Sequence, residues 1–214
     1  MARASAATRS WLLLLRYALV NIVALAVTVA VWLQGWIDAA LQGLTLWLIG
    51  IIVGVFLIGL AICTWRVARV SAELNALAGD EVRASLRCGI YLQDTAGQSA
   101  TVRQTHANLL RIELGNSVSD VRYYVNMLVF LGLIGTVIGF IIALSGVDAE
   151  AAQSAERVTE MISGLIDGIA IALYTTLIGA ILHIWLGFNG RMLAQGSNAL
   201  LQLAVQRGER RVGN

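Results

Sequence analysis

The chain has 214 residues, of which 58% are hydrophobic and 13% charged; with a mean hydropathy of +0.75 it lies outside the balance of a soluble globular domain, so the bilayer is the first solvent to consider. All 15 basic residues are arginine and the net charge is only +2, so no basic block points to nucleic acid. Cys63 and Cys88 stand far apart, with neither CxxC spacing nor a neighbouring histidine, which signals neither a metal site nor a redox pair, and nothing calls for a cofactor.

Four apolar stretches reach the roughly 20 residues that a helix needs to cross the hydrocarbon core. They cover 11–33, 44–65, 124–147 and 162–188. Trp11, Trp32, Trp47, Trp65, Tyr123, Tyr124 and Trp185 fall mostly near their ends, where aromatic rings favour the headgroup region. Proline is absent and glycine occurs 21 times, a combination that suits long unbroken helices brought close together by small residues. The expected fold is all-α: a polytopic membrane protein of four transmembrane helices with helical cytoplasmic extensions.

Arginine placement sets the expected orientation. Arg3 and Arg9 precede the first span, seven arginines from Arg66 to Arg122 lie between the second and third, and Arg191, Arg207, Arg210 and Arg211 follow the fourth. The segment 34–43 has no arginine, and 148–161 has only Arg157 beside Asp148, Glu150, Glu156 and Glu160. The positive-inside rule then puts both termini and the long middle segment in the cytoplasm. A cleaved signal sequence is the other reading of the first span, since Arg3 and Arg9 form an n-region, but the apolar run is long for one.

Four regions follow: an N-terminal hairpin of two spans over 1–65, a cytoplasmic helical segment over 66–122, a core of two spans over 123–190, and a cytoplasmic tail over 191–214. In the middle segment Val67, Val70, Leu74 and Leu77 recur at helical spacing, as do Val102, Leu109, Leu110, Ile112 and Leu114. The second and third spans are thus expected to continue as helices into the cytoplasm, with breaks near 78–80 and 93–97. After Arg191 a short amphipathic helix is expected, ending in the basic cluster 207–211, which either touches anionic lipid or is solvated.

The buried residues carry the functional reading. The third span contains Gly132, Gly135 and Gly139, and the fourth contains Gly164, Gly168, Ala172, Thr176 and Ala180 at every fourth position, with Gly179 nearby. Small residues so placed let helix backbones approach closely. Counted from Tyr124 and Phe188, Thr136 and Thr176 each lie 12 residues in, roughly 18 Å along a helix, which predicts one common depth. A lone threonine there can simply bond to its own helix's carbonyls. The doublet Thr175 and Thr176 opposite Thr136 points instead to a polar constriction lining an ion path. Asp167 is the one acid inside a span: either an interfacial carboxylate reached by water or, repeated in a ring, a concentrator of cations at the outer mouth. His183 has no evident partner and reads as interfacial, Arg16 as snorkelling, and Asn21 and Asn126 as bonding to neighbouring helices.

The stretch LGLIGTVIGF over 131–140 and the stretch IAIALYTTLIG over 169–179 resemble the LGLxGTVxG and IxxALxTTxxG motifs of the MotA/TolQ/ExbB family of ion-driven motor subunits. The resemblance is best over 125–188, and the four-span order is most similar to the MotA branch. It implies that Thr136 and Thr176 face a pore with Thr175 beside them, and that five copies form a ring around two single-span helices of the MotB/TolR/ExbD kind, which bring the ion-carrying aspartate. It further implies a bacterial inner-membrane location and conversion of a proton or sodium gradient into mechanical work. Two positions depart from the family pattern: Ile171 stands where many members have glutamate, with Asp167 one turn earlier, and Trp185 stands near the family's proline. The rival reading is a structural membrane scaffold, in which the glycine faces only hold helices together. A small enzyme or a transporter does not fit, since no HExxH, GxSxG or CxxC motif, buried acid pair or inverted repeat is present.

Overall fold

The computed structural model of the chain describes residues 2–33, 46–78, 87–95, 98–147 and 155–212. Every described regular element is an α-helix: α1 (Ala2–Leu33), α2 (Leu46–Ala78), α3 (Arg87–Asp94), α4 (Ala100–Ser145) and α5 (Ala155–Val212). Without proline, nothing in the backbone forces these helices to stop at the edge of an apolar stretch. They run on. At the usual rise, the 33 residues of α2 extend about 50 Å, well beyond the ~30 Å of a hydrocarbon core. The 46 residues of α4 and 58 of α5 exceed it further.

Three helices, α2, α4 and α5, are long and apolar enough to cross a membrane, and Leu14–Ala30 within α1 is a shorter apolar stretch. The segment after Arg191 is not a separate short helix but the continuation of α5 to Val212, because the i to i−4 hydrogen-bond ladder needs no change of conformation when the side chains turn from apolar to amphipathic. The segments 34–43 and 79–86, which hold two of the expected connections, lie outside the described residues.

The helices contribute to two compact units. Unit 1 comprises Met1–Val23, Leu60–Arg122 and Phe188–Asn214, and unit 2 comprises Ala24–Gly59 and Tyr123–Gly187. The core of unit 1 is built from the stripe Val67, Val70, Leu74 and Leu77 of α2, with Leu92 of α3, Leu110, Leu114 and Val121 of α4, and Leu193, Leu200 and Ala204 of α5. Near α1, the Tyr17 hydroxyl lies 2.6 Å from the Thr64 hydroxyl. Asn21 donates to Asn189 at 2.9 Å and Asn189 donates back at 3.2 Å, a reciprocal amide pair that satisfies the buried Asn189 side chain. The chain end also closes on α3, since a Cβ at Gly208 would lie 3.3 Å from the Tyr91 ring.

Unit 1 also buries charge, beyond the point where the apolar part of α2 ends at Trp65. The Glu73 carboxylate has 2% of its side chain exposed and sits between Arg87 at 3.7 Å and Arg69 at 3.8 Å; Arg87 also faces Glu113 at 3.4 Å. Burial nonetheless outweighs the two guanidinium groups and raises the Glu73 pKa above its ordinary value. The Cys88 thiol donates to Glu73 at 3.9 Å, and burial, reinforced by the negative charge of Glu73, pushes its pKa up to about 12. Arg66 donates to the Ser117 carbonyl and pairs with Asp120 at 2.5 Å.

Unit 2 is inverted relative to a water-soluble protein. Leu133, Ile134, Val137, Phe140 and Ile141 of α4 and Ile166, Leu173, Leu177, Ile181 and Ile184 of α5 point outward, while Gly132, Gly135, Gly139, Gly168, Ala172 and Thr175 are buried. Outside apolar and inside small is the pattern of helices packed for lipid, where backbone proximity supplies the contact.

Candidate functional site

The site is the seam between α4 and α5 in unit 2. Contacts run Leu128 to Gly179, Gly132 to Thr176, Gly139 to Ala172 and Ala143 to Gly168, rising along one helix as they fall along the other, so the pair is antiparallel. At its tightest the seam has no room for a side chain. A Cβ at Gly139 would lie 2.6 Å from the Ala172 nitrogen and 2.7 Å from the Gly168 carbonyl oxygen, and one at Gly179 would lie 2.9 Å from the Leu128 carbonyl oxygen. Gly164 is different, because a Cβ there would meet nothing within 4 Å; it takes no part in this seam.

The buried face of α5 is Gly168, Ala172, Thr175 and Gly179, whereas Thr176 and Ala180 are exposed. A helix advances by about 100° per residue, so a strict count of four drifts by about 40° at each step. By Thr176 that drift has reached about 80°, and the seam has passed to Thr175. The expectation that Thr175 faces an ion path beside Thr176 is therefore corrected. Its side chain is 0% exposed, fills the notch left by Gly135, and donates its hydroxyl to the Ile171 carbonyl at 3.0 Å and the Ala172 carbonyl at 3.1 Å.

Thr176 sits on the rim of the seam. Its hydroxyl donates across to the Gly132 carbonyl of α4 at 3.2 Å. The absence of a Cβ at Gly132 permits this, since one there would already touch the Thr176 Cα at 3.4 Å. Thr136, half-buried one turn along α4 from Gly132, donates to its own Leu133 carbonyl at 2.6 Å. The two hydroxyls thus lie within about 6 Å of one level along the helix axes. With each proton committed to a carbonyl, what each oxygen still offers is its lone pairs, so the rim presents acceptors and no free donors. That arrangement can take a hydrogen bond from a protonated carboxyl group or hydronium, or coordinate a desolvated cation.

Asp167 is exposed at one end of the seam, beside the buried Gly168. His183, expected to lack a partner, has one: its Nδ1 lies 2.8 Å from the Val125 carbonyl oxygen, and since a carbonyl only accepts, Nδ1 is the donor. Ile171, at the family's glutamate position, is half-buried. Among the described residues no group of three or more His, Cys, Asp or Glu side chains is placed to hold a metal ion.

Reading the fourth span with a period of 3.6 rather than 4 separates Thr175 from Thr176 on sequence alone. The carbonyl partner of Thr176 has no such signal, because a backbone acceptor has no residue type. A family model described as the MotA/TolQ/ExbB proton channel family matches residues 92–204, more than half of the chain and including the whole seam. No curated protein and no solved structure matches the chain.

Proposed function

Because the chain belongs to the MotA/TolQ/ExbB proton channel family, we propose that it is an ion-conducting subunit of a bacterial inner-membrane motor, in which Thr136 and Thr176 offer the ion a polar step. Five copies form a ring around a single-span partner of the MotB/TolR/ExbD kind. The partner supplies the ion-carrying carboxyl group, and this chain supplies the wall. It crosses the membrane four times with both termini in the cytoplasm, and the N-terminal hairpin over 1–65 flanks the core over 123–190. Ion passage then turns the ring about the partner, and the helical extensions transmit the work.

The observation that carries this reading is the bond from Thr176 to the Gly132 carbonyl with Thr136 one turn away. It fixes the orientation of both oxygens without occupying their lone pairs, in surroundings where a polar contact is worth more than in water. Protons are the first candidate ion. Sodium is the second, since hydroxyl oxygens serve both. Asp167, repeated around a ring, would gather either cation at the outer mouth.

A specific observation favours the rival reading of a scaffold without conduction, namely how closely Gly139, Gly168 and Gly179 bring the backbones together. Valine is nearly isosteric with threonine, so it separates the two. Co-reconstituted with its partner in liposomes under an imposed gradient, the Thr136→Val/Thr176→Val chain should assemble normally and lose proton or sodium flux. Flux equal to the unaltered chain would leave the scaffold reading standing.

A further inference from the structure

In unit 1, α4 and α5 part to leave a cavity of about 260 Å³. Gly115 supplies part of the space, for a Cβ there would meet nothing within 4 Å. Arg111 and Arg122, both on α4, stand at its two ends, with Ser119 between them and Ser197 and Asn198 across from them on α5. No acid lines the cavity.

Three features set this cavity apart from the rest of unit 1. Arg66, Arg69 and Arg87 are each tied to a carboxylate, whereas Arg111 and Arg122 have no ion-pair partner among the described residues. Both residues are exposed, and their charges are open to an anion from outside. The second feature is Ser197, which is 3% exposed and whose hydroxyl has no hydrogen-bond partner. A serine inside a helix ordinarily bonds back to a carbonyl of the preceding turn, and a buried hydroxyl left without one is costly. The third is position. Arg122 directly precedes Tyr123 and Tyr124, where the apolar stretch of α4 begins, and aromatic rings at such a boundary favour the headgroup region.

Two guanidinium groups, hydroxyls and an amide with no acid among them form a set of donors for an anion with several oxygens. The planar fork of arginine matches phosphate better than it matches a halide. We infer that this cavity binds a phosphate group, held between Arg111 and Arg122 and completed by the Ser197 hydroxyl. The group comes either from the headgroup of an anionic lipid or from a soluble phosphate. The inference stands apart from ion conduction and concerns different residues.

The test uses the full chain, stripped of lipid in a neutral detergent, with binding measured by calorimetry. One probe is inorganic phosphate and the other is short-chain phosphatidylglycerol. Saturable binding of phosphatidylglycerol alone assigns the site to a lipid headgroup, and saturable binding of inorganic phosphate that competes with the lipid assigns it to a soluble phosphate. In either case Arg111→Gln and Arg122→Gln should each weaken binding roughly tenfold, as loss of a charge-assisted hydrogen bond does. Arg210→Gln/Arg211→Gln, which removes two charges from the 207–211 cluster, more than either single cavity variant removes, should leave it unchanged. Gly115→Leu fills the cavity while keeping every charge and should abolish binding, and it decides the matter if the arginine variants fail to fold. The inference is overturned if neither probe saturates, if Gly115→Leu binds as the unaltered chain does, or if the Arg210/Arg211 variant loses as much as the cavity variants.

Discussion

Gly139→Ala is the smallest change that acts on the seam directly. The new methyl carbon would lie 2.6 Å from the Ala172 nitrogen, 2.7 Å from the Gly168 carbonyl oxygen and 2.8 Å from the Ala172 Cα. All three are backbone atoms, which no rotamer change can move. Ordinary contact needs roughly 3.5 Å or more, so α4 and α5 must part by about 1 Å, and a gap of that size forfeits a quarter to a half of the dispersion energy along the contact. The Thr176 bond to the Gly132 carbonyl, now 3.2 Å, would lengthen past hydrogen-bonding distance, a further loss of about 1 kcal/mol. Overpacking of this kind costs about 1–3 kcal/mol, and the helix propensity of alanine returns up to about 1 kcal/mol, so the expected net loss is about 1–4 kcal/mol. Gly164→Ala is the control, because its methyl group meets nothing and alanine gains up to about 1 kcal/mol of helix propensity over glycine. Reversible unfolding in mixed detergent micelles, followed by circular dichroism, measures both. If Gly139→Ala unfolds at the same detergent fraction as Gly164→Ala, the backbone contact described for this seam is wrong.

Thr175→Val should keep ion flux, in contrast to the paired Thr136 and Thr176 change, and shift stability by about 1 kcal/mol or less, because its hydroxyl bonds only to its own helix; flux and unfolding assays on one preparation check both parts. Glu73 makes stability depend on pH. Its pKa is raised on folding, so the folded chain keeps a proton that the unfolded chain releases above 4.5; stability is full below that pH and falls as pH rises through the folded value. Glu73→Gln should remove that slope from the unfolding midpoint plotted against pH, and an unchanged slope would assign it to another group. Cys88, with its thiol pushed up to about 12, should react with a maleimide near pH 8 far more slowly in the folded protein than in denaturant. Rapid labelling in the folded state would contradict its burial beside Glu73.

Apolar length and spaced glycines make much of unit 2 legible in the sequence. Close approach at Gly132, Gly135, Gly139, Gly168 and Gly179 is suggested by the spaced glycines, but residue type does not select among them, since Gly164 shares the spacing and meets nothing within 4 Å. The division of labour between Thr175 and Thr176 does not follow from a fixed spacing of four, which accumulates rotation over two turns. His183 looks partnerless in the sequence because its partner is the main-chain carbonyl of Val125. In unit 1, no sequence motif singles out Glu73. It flanks the stripe of Val70, Leu74 and Leu77, and only the approach of Arg87 from α3 and Glu113 from α4 shows it to be an interior group. Such a network depends on three segments far apart in the chain, so no window of sequence contains it. Continuation of α5 beyond Arg191 is hidden by a change of side-chain polarity to which the backbone is indifferent.

The claim on which the functional account depends is that Thr136 and Thr176 look into the assembly and not into lipid. Spin labels at Thr136→Cys, Thr176→Cys and Leu177→Cys, each in a Cys63→Ala/Cys88→Ala background and assembled with the partner in bilayers, report this through collisions with dissolved oxygen or with a water-soluble nickel chelate. The labels at 136 and 176 should be shielded from oxygen and open to the polar reagent, while the label at 177 should show the reverse. Oxygen accessibility at 136 and 176 equal to that at 177 would place both hydroxyls against acyl chains and contradict the account.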